Sequence, residues 1–181
     1  ASGTSTALPP VDLRAPAVFD PRSVADYLRA HEVTSLSGAP AFMERLCEHL
    51  IATKTTLPST KRLLVGGGPV SKTLAKTILG ALPHLSEEAW GVYGSTEAEP
   101  MAHMLLKEML EHPIEHPGFV VGHAVPEATV KLLSLRPAPL MTPHDLDAAS
   151  IEGPGAPGEI VVAGDHVVPN YLEDLYSYRI N

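Results

Sequence analysis

The sequence predicts an α/β fold in which a parallel sheet flanked by helices is followed by a β-rich portion, part of a β-barrel. Between residues 19 and 93, stretches with apolar residues at helical spacing alternate with short apolar runs. This alternation is typical of strands that pair in parallel beneath covering helices. From residue 119 onward the apolar runs are short and rich in β-branched residues, which predicts strands.

The first half shows three helix starts. Asp20 can cap free amides and Pro21 suits the first helical position, so a helix is predicted there. Pro40 begins a second helix and Ser71 precedes a third, whose inward face holds residues 74, 78 and 82. Short strands are predicted between them, at 33–37, 62–65 and 89–93.

The second half is predicted with a different pattern. Pro100 is expected early in a helix that ends at His112 and Pro113, with Met101, Met104, Leu105 and Met109 on its buried face. Three strands are expected at 119–121, 129–133 and 159–162. Residues 136–157 hold five prolines and two glycines, which predicts a long loop.

These patterns divide the chain into three parts. Residues 1–17 are predicted as an N-terminal arm, rich in Pro, Ser and Thr. Residues 18–112 are predicted as the α/β subdomain. Residues 113–181 are predicted as the β-rich start of the next subdomain.

Bulk composition excludes several classes of protein. The net charge of −8 argues against a nucleic-acid partner, which would require a basic surface. No apolar run reaches the ~18 residues of a membrane span. Cys47 is the single cysteine, which excludes a disulfide within the chain and favours a cytoplasmic protein. Its apolar helical neighbours predict a core residue rather than a nucleophile.

Three consecutive glycines, Gly66, Gly67 and Gly68, follow a predicted strand and precede a predicted helix. Ligands of open α/β sheets bind at such strand ends. The spacing is not G-x-G-x-x-G, because Ser71 stands at the last glycine position, and no G-K-[ST] of a P-loop follows. From the residues alone, a ligand-binding turn and a purely structural turn both remain open.

A second candidate site is the run Tyr93, Gly94, Ser95, Thr96 and Glu97, predicted as a strand end, a tight turn and a helix start. A hydroxyl beside a carboxylate suits a metal-bound phosphate: the hydroxyl donates to the phosphate and the carboxylate holds Mg²⁺. The alternative is an ordinary strand–turn–helix in which the serine or threonine caps the helix.

Other catalytic chemistries find little support. His112 and His116 are four residues apart, but Pro113 and Pro117 interrupt any helix that would align them, and no H-E-x-x-H occurs. No serine stands in a G-x-S-x-G turn. Trp90 is interpreted as a core residue, with a second pocket wall as the alternative.

Four blocks of the sequence together resemble the adenylate-forming superfamily of acyl-CoA synthetases, peptide-synthetase adenylation domains and luciferases. Residues 93–97 resemble its Y-G-x-T-E motif, and residues 63–70 its L-x-x-G-G-x-P-L segment. Residues 19–40 resemble F-D-P…V-T…P, and residues 158–172 resemble G-E-I-x-V-x-G…V…G-Y-L. The blocks follow the family's order, although Asn170 stands where the family usually has Gly.

The resemblance implies a role for each residue of the two candidate sites. Tyr93 would lie against adenine, Thr96 would bond the α-phosphate and Glu97 would coordinate Mg²⁺, with Gly94 and Ser95 in the same nucleotide site. The glycines of residues 66–68 would border the adenine and the acyl pocket. ATP and AMP, Mg²⁺ and, in the parent enzyme, CoA are the implied cofactors, and a small carboxylic acid is the implied substrate.

The resemblance also implies that this chain is the middle of a larger N-terminal domain. The family's P-K-G phosphate loop is expected before residue 1, and its ribose-binding aspartate, hinge and lysine beyond residue 181. We therefore expect an inactive fragment of an acid-activating enzyme. Residues 97–101 resemble lipid-associated ligases, which favours a fatty acid–CoA ligase. A non-catalytic binding or carrier-interaction module, a peptide-synthetase domain and a β-lactone synthetase remain open.

Overall fold

The computed structural model describes residues 4–12, 14–15, 17–113, 118–134, 150 and 157–169. Four helices and seven strands are defined within these residues. They follow one another as α1 (Pro21–Ala30), β1 (Ser35–Gly38), α2 (Pro40–Thr53), β2 (Arg62–Val65), α3 (Lys72–Ala81), β3 (Ala89–Ser95), β4 (Ala98–Leu105), α4 (Leu106–Glu111), β5 (His123–Ala124), β6 (Thr129–Leu133) and β7 (Glu159–Ala163). A 3₁₀ turn, Pro83–Leu85, precedes β3.

The strands form two sheets. Five strands lie in the order β1-β2-β3-β4-β5, and β6 pairs with β7 in an antiparallel ribbon. The first two pairings of the larger sheet, β1 with β2 and β2 with β3, are parallel. The predicted α/β class, a parallel sheet flanked by helices with a separate β portion, is confirmed.

The helix starts follow the sequence signals. The Asp20 side chain accepts hydrogen bonds from the amides of Arg22 and Ser23, and Pro21 is the first residue of α1. The Ser23 hydroxyl also donates to this carboxylate, which lowers the pKa of Asp20. The Ser71 hydroxyl accepts from the amide of Leu74 at the start of α3. Both predicted caps are therefore confirmed.

Parallel register creates one continuous core beneath the sheet. Leu36, Leu63 and Ala89 pair in a single row across β1, β2 and β3, and all three are buried. Side chains of α1, α2, α3 and α4 pack against this row in the same apolar cluster, among them Val24, Leu28, Met43, Leu46, Leu50, Leu74, Ile78 and Met109. Cys47 is fully buried in it, as predicted.

The helix predicted from Pro100 is wrong over most of its length. The chain forms β4 (Ala98–Leu105) there, and helix α4 begins only at Leu106. Ala102 and Met104 are buried and His103 between them is half-buried, which is the period of a strand. The spacing of residues 101, 104, 105 and 109 fits a helix as well as the sequence of this segment fits a strand. Pairing with neighbouring strands in the sheet decides in favour of the strand. The helix does end before His112, as predicted.

The site motif consequently has a different local structure from the one expected. β3 continues through Ser95, and Thr96 and Glu97 form a two-residue turn into β4. No helix starts there, so the alternative in which Ser95 or Thr96 caps a helix is also wrong.

The remaining predictions of secondary structure have mixed outcomes. The strands predicted at 62–65, 129–133 and 159–162 are confirmed as β2, β6 and β7. Residues 119–121 form no strand, and the short β5 follows them instead. Most of the predicted 136–157 loop and the departure at Asn170 lie outside the described residues.

The chain separates into two compact units. Unit 1 comprises Ala1–Tyr93 and Ala102–His123, and unit 2 comprises Gly94–Met101 and Ala124–Asn181. The division therefore falls within β3 and within β4. The sequence-based boundary between residues 112 and 113 stays a prediction. Among the helices in the described part of the chain, none is long and apolar enough to cross a membrane.

We expect Asp20→Ala to lower the free energy of unfolding by about 1 kcal/mol, because it leaves the first amides of α1 without their cap. Urea denaturation would measure this change. Asp12→Ala is the matched control. Among the described residues, the Asp12 carboxylate contacts Arg14 alone, through an exposed ion pair and a hydrogen bond from the Arg14 amide, and exposed ion pairs contribute little. Equal losses in the two variants would contradict the assigned role of the cap.

Candidate functional site

The glycine run lies in unit 1, at the carboxyl end of β2. A methyl group on Gly66 would lie 2.6 Å from the carbonyl oxygen of Val92 on β3. Only a glycine therefore allows the end of β2 to approach β3 this closely. Gly67 has a φ of +72°, in the left-handed region that favours glycine. The backbone therefore requires glycine at both positions.

Gly68 differs from its two neighbours. It does not have a positive φ, and a methyl group there would lie 3.5 Å from the ring of Pro40, an ordinary van der Waals contact. The backbone does not require glycine at this position. Gly68 is exposed, so the missing side chain leaves open space beside the turn.

Tyr93 also belongs to unit 1 and lies near the carboxyl end of β3. Its side chain is 37% exposed, which leaves ring surface available for stacking on a planar ligand. The carboxyl ends of parallel strands lie at one edge of a sheet. β2 and β3 are parallel neighbours, so the glycine turn after β2 and Tyr93 near the end of β3 lie at the same edge.

The remaining residues of the motif belong to unit 2. A methyl group on Gly94 would lie 2.8 Å from the carbonyl oxygen of Ala98, so the entry into the turn is tight. Thr96 is exposed, whereas Ser95 and Glu97 are half-buried. The Val168 amide donates to the Glu97 carbonyl oxygen at 2.7 Å and fixes the end of the turn.

These positions allow a definite chemistry. The exposed Thr96 hydroxyl is a neutral donor that can meet a phosphate oxygen. The Glu97 carboxylate is a hard oxygen ligand of the kind that Mg²⁺ prefers. No group of three His, Cys, Asp or Glu able to hold a metal occurs within the described ranges.

Trp90 is not a buried core residue. It is half-buried on β3, and its ring lies 4.9 Å from that of His103 on β4 at an interplanar angle of 41°. Nothing in the sequence indicates this pairing, because His103 falls within the segment predicted as a helix.

Cys47 has no part in a reactive site. Burial raises the pKa of its thiol to about 12. The thiol is therefore protonated near neutral pH, whereas a nucleophilic cysteine requires the thiolate.

The model of the AMP-binding enzyme family matches residues 3–172, almost the whole chain. This chain belongs to the AMP-binding enzyme family. The resemblance to adenylate-forming ligases inferred from the sequence motifs is thereby confirmed.

Individual relatives of this AMP-binding chain carry out different reactions. An olefin beta-lactone synthetase of Stenotrophomonas maltophilia is 31% identical over 175 residues, which are 95% of this chain and 30% of that protein. The 4-coumarate–CoA ligase 3 of Oryza sativa is 25% identical over 86% of this chain and 26% of its own length. The chain thus spans less than a third of these curated relatives.

A solved structure supports the same fold. The amide bond synthetase McbA from Marinactinospora thermotolerans superposes with a TM-score of 0.62 at 21% identity, covering 84% of this chain and 27% of its own. The fold of the AMP-binding chain is therefore that of adenylate-forming enzymes.

We expect Gly66→Ala to destabilise the chain by about 1–3 kcal/mol, because the added methyl group meets the Val92 carbonyl oxygen. Gly68→Ala, the matched control, is expected to change stability by less than about 0.5 kcal/mol. Thermal and urea unfolding of both variants would measure the difference. Equal effects would show that β2 and β3 do not approach as closely as described.

Proposed function

We propose that this chain supplies nucleotide-binding residues to an enzyme that activates a carboxylic acid with ATP. The supporting observation is the Tyr93–Glu97 segment, which lies within the family match and presents an exposed aromatic ring and an exposed hydroxyl at a strand end. The proposal concerns the parent polypeptide, since the chain spans less than a third of its curated relatives.

Each site residue has a proposed role. The Tyr93 ring lies against adenine, and Gly66, Gly67 and Gly68 border the base and the acid. The Thr96 hydroxyl donates to the α-phosphate. Gly94 and Ser95 shape the turn that presents these groups.

Glu97 is proposed to hold Mg²⁺ together with phosphate oxygens. The bound cation would neutralise part of the charge on the phosphates. The Val168 amide fixes the carbonyl of Glu97, so the backbone from which this carboxylate extends is held in place. Thr96 and Glu97 are the residues proposed to act in the chemical step.

The proposed reaction is an adenylation. A carboxylate oxygen of the acid bonds to the α-phosphorus of ATP, and the bond from that phosphorus to the β-phosphate oxygen breaks. Acyl-AMP and pyrophosphate are the products. Donors such as the Thr96 hydroxyl stabilise the charge that develops on the α-phosphate oxygens. A nucleophile then attacks the acyl carbon and AMP leaves.

For the second step, we propose transfer to the thiol of CoA, with fatty acids as the substrate class and the cytoplasm as the location. The CoA ligase among the relatives supports this acceptor. The single, buried Cys47 is consistent with a reducing compartment.

The β-lactone synthetase relative favours a second candidate for this step. A β-lactone closes when the β-hydroxyl oxygen of an acid bonds to its own activated acyl carbon. The bond from that carbon to the AMP oxygen breaks, AMP leaves and the hydroxyl loses its proton. Such an enzyme needs a β-hydroxy acid and no external acceptor.

Titration of the ¹⁵N-labelled chain with AMP and with Mg·ATP tests the nucleotide site. We expect nucleotide to shift the backbone amide signals of residues 66–68 and 93–97. Thr96→Ala and Tyr93→Ala should each lower the affinity for the nucleotide by about tenfold or more, since each loses a direct ligand contact. Thr96→Ser should retain the shifts because it keeps the hydroxyl, and Thr73→Ala on α3 serves as the surface control. A folded chain that shows no shifts would refute preformed nucleotide binding.

We also expect the 181-residue chain alone to show no acid-dependent ATP–pyrophosphate exchange. Its sequence contains no P-K-G phosphate loop, and the family's catalytic lysine has no counterpart recognised in it. The exchange assay would use the purified chain with Mg·ATP and a panel of fatty acids. Exchange above the level of a Thr96→Ala control would overturn this expectation.

A further inference from the structure

The segment that follows β7 folds back on itself within unit 2. The Val167 amide donates to the Gly164 carbonyl oxygen at 3.0 Å, which closes a four-residue turn. His166 is the third residue of this turn, and its side chain is half-buried. Immediately after the turn, the Val168 amide donates to the Glu97 carbonyl oxygen. The turn therefore leads directly into the contact that fixes the backbone of Glu97.

The His166 ring lies directly on the backbone of Gly164. A methyl group on Gly164 would lie 2.9 Å from Cε1 and Nδ1 of this ring and 2.5 Å from the carbonyl oxygen of Glu127. Glu127 belongs to the turn after β5, in which the Ala128 amide donates to the Val125 carbonyl oxygen. The imidazole, Gly164 and the Glu127 carbonyl thus form one close contact between the two turns, which we call the packed contact.

The packed contact belongs to a closed series of contacts that begins and ends at Glu97. From Glu97 the chain runs along β4 to Met101, whose carbonyl oxygen accepts from the Val125 amide at 3.0 Å. The turn after β5 leads from Val125 to the packed contact, and the turn after β7 leads back to the Val168 amide. All of these residues belong to unit 2. Loosening the packed contact would therefore loosen the backbone of Glu97.

The imidazole contributes shape to the packed contact rather than hydrogen bonds. Both ring nitrogens of His166 are buried, and neither has a hydrogen-bond partner among the residues that the structure describes. Buried polar atoms without a partner cost free energy, whereas an apolar group of the same shape does not carry that cost. A phenyl ring should therefore replace the imidazole without loss of the packed contact.

We propose that His166 is a positioning residue for the carboxylate of Glu97. Its ring holds the turn after β7, and this turn holds the Glu97 backbone through the Val168 amide. The assignment rests on the proposed function, in which Glu97 holds Mg²⁺. The position of this ligand matters because Mg²⁺ accepts little departure from octahedral geometry. In this assignment, His166 contacts neither the metal nor the nucleotide.

ATP titrations of the ¹⁵N-labelled 181-residue chain, with Mg²⁺ and with EDTA, test the assignment. In the wild-type chain, Mg²⁺ should tighten ATP binding, because Glu97 then contributes a ligand to the bound cation. We expect His166→Ala to reduce this gain in affinity by about three- to tenfold, the loss that corresponds to one hydrogen bond. The affinity for ATP in EDTA should stay unchanged, whereas a general structural defect would weaken both affinities.

His166→Phe and Val168→Ala are the matched variants. His166→Phe keeps a ring on Gly164, so it should keep the gain from Mg²⁺. Val168→Ala keeps the amide and shortens a side chain that is 44% exposed, so it should keep the gain as well. Hydrogen exchange at the amide of residue 168 should be faster in His166→Ala and unchanged in the other two variants, because only the first loses the packed contact.

Three outcomes overturn the assignment and leave the proposed Mg²⁺ site intact: a gain that survives in His166→Ala, a gain that is lost in His166→Phe, or equal weakening of ATP binding with Mg²⁺ and with EDTA. A wild-type chain without any gain from Mg²⁺ would instead contradict the proposed role of Glu97, and the assignment with it. If His166→Ala does not fold, His166→Phe decides, since it must keep the full gain and resist urea at least as well as the wild-type chain.

Discussion

The close approach of β2 and β3 at Gly66 determines how the glycine turn and Tyr93 are placed at the edge of the larger sheet. A side chain at this position would meet the Val92 carbonyl oxygen. Because the two strands stay close at their carboxyl ends, the chain can turn sharply through Gly67 into α3. The parallel register then places the glycine turn and Tyr93 at one edge of the sheet. The geometry of this edge thus depends on the close backbone approach at Gly66.

Much of the fold could be predicted from local chemistry. Asp20 and Ser71 cap helices with their own side chains, and such caps depend on residues at most three positions away. The strands β2, β6 and β7 were also recognisable, because each is a compact run of apolar residues. The α/β class follows from their order along the chain.

The errors arose where distant residues decide the structure. Residues 101–105 suit a helix and a strand about equally, and neighbouring strands select the strand. This error concealed His103, whose aromatic partner Trp90 is thirteen positions away in the sequence. The three glycines also look alike in a sequence. Only the position of the Val92 carbonyl oxygen and the sign of φ separate Gly66 and Gly67 from Gly68.

That separation has an evolutionary consequence. Backbone geometry requires glycine at Gly66 and at Gly67. A protein that replaces either glycine must therefore also change the spacing of the strands or the conformation of the turn. Gly68 carries no such requirement, and its neighbour Pro40 leaves room for a small side chain. Under the proposed function, in which these glycines border the acid, substrate range can therefore diverge through single changes at Gly68, while a stable fold requires the other two glycines.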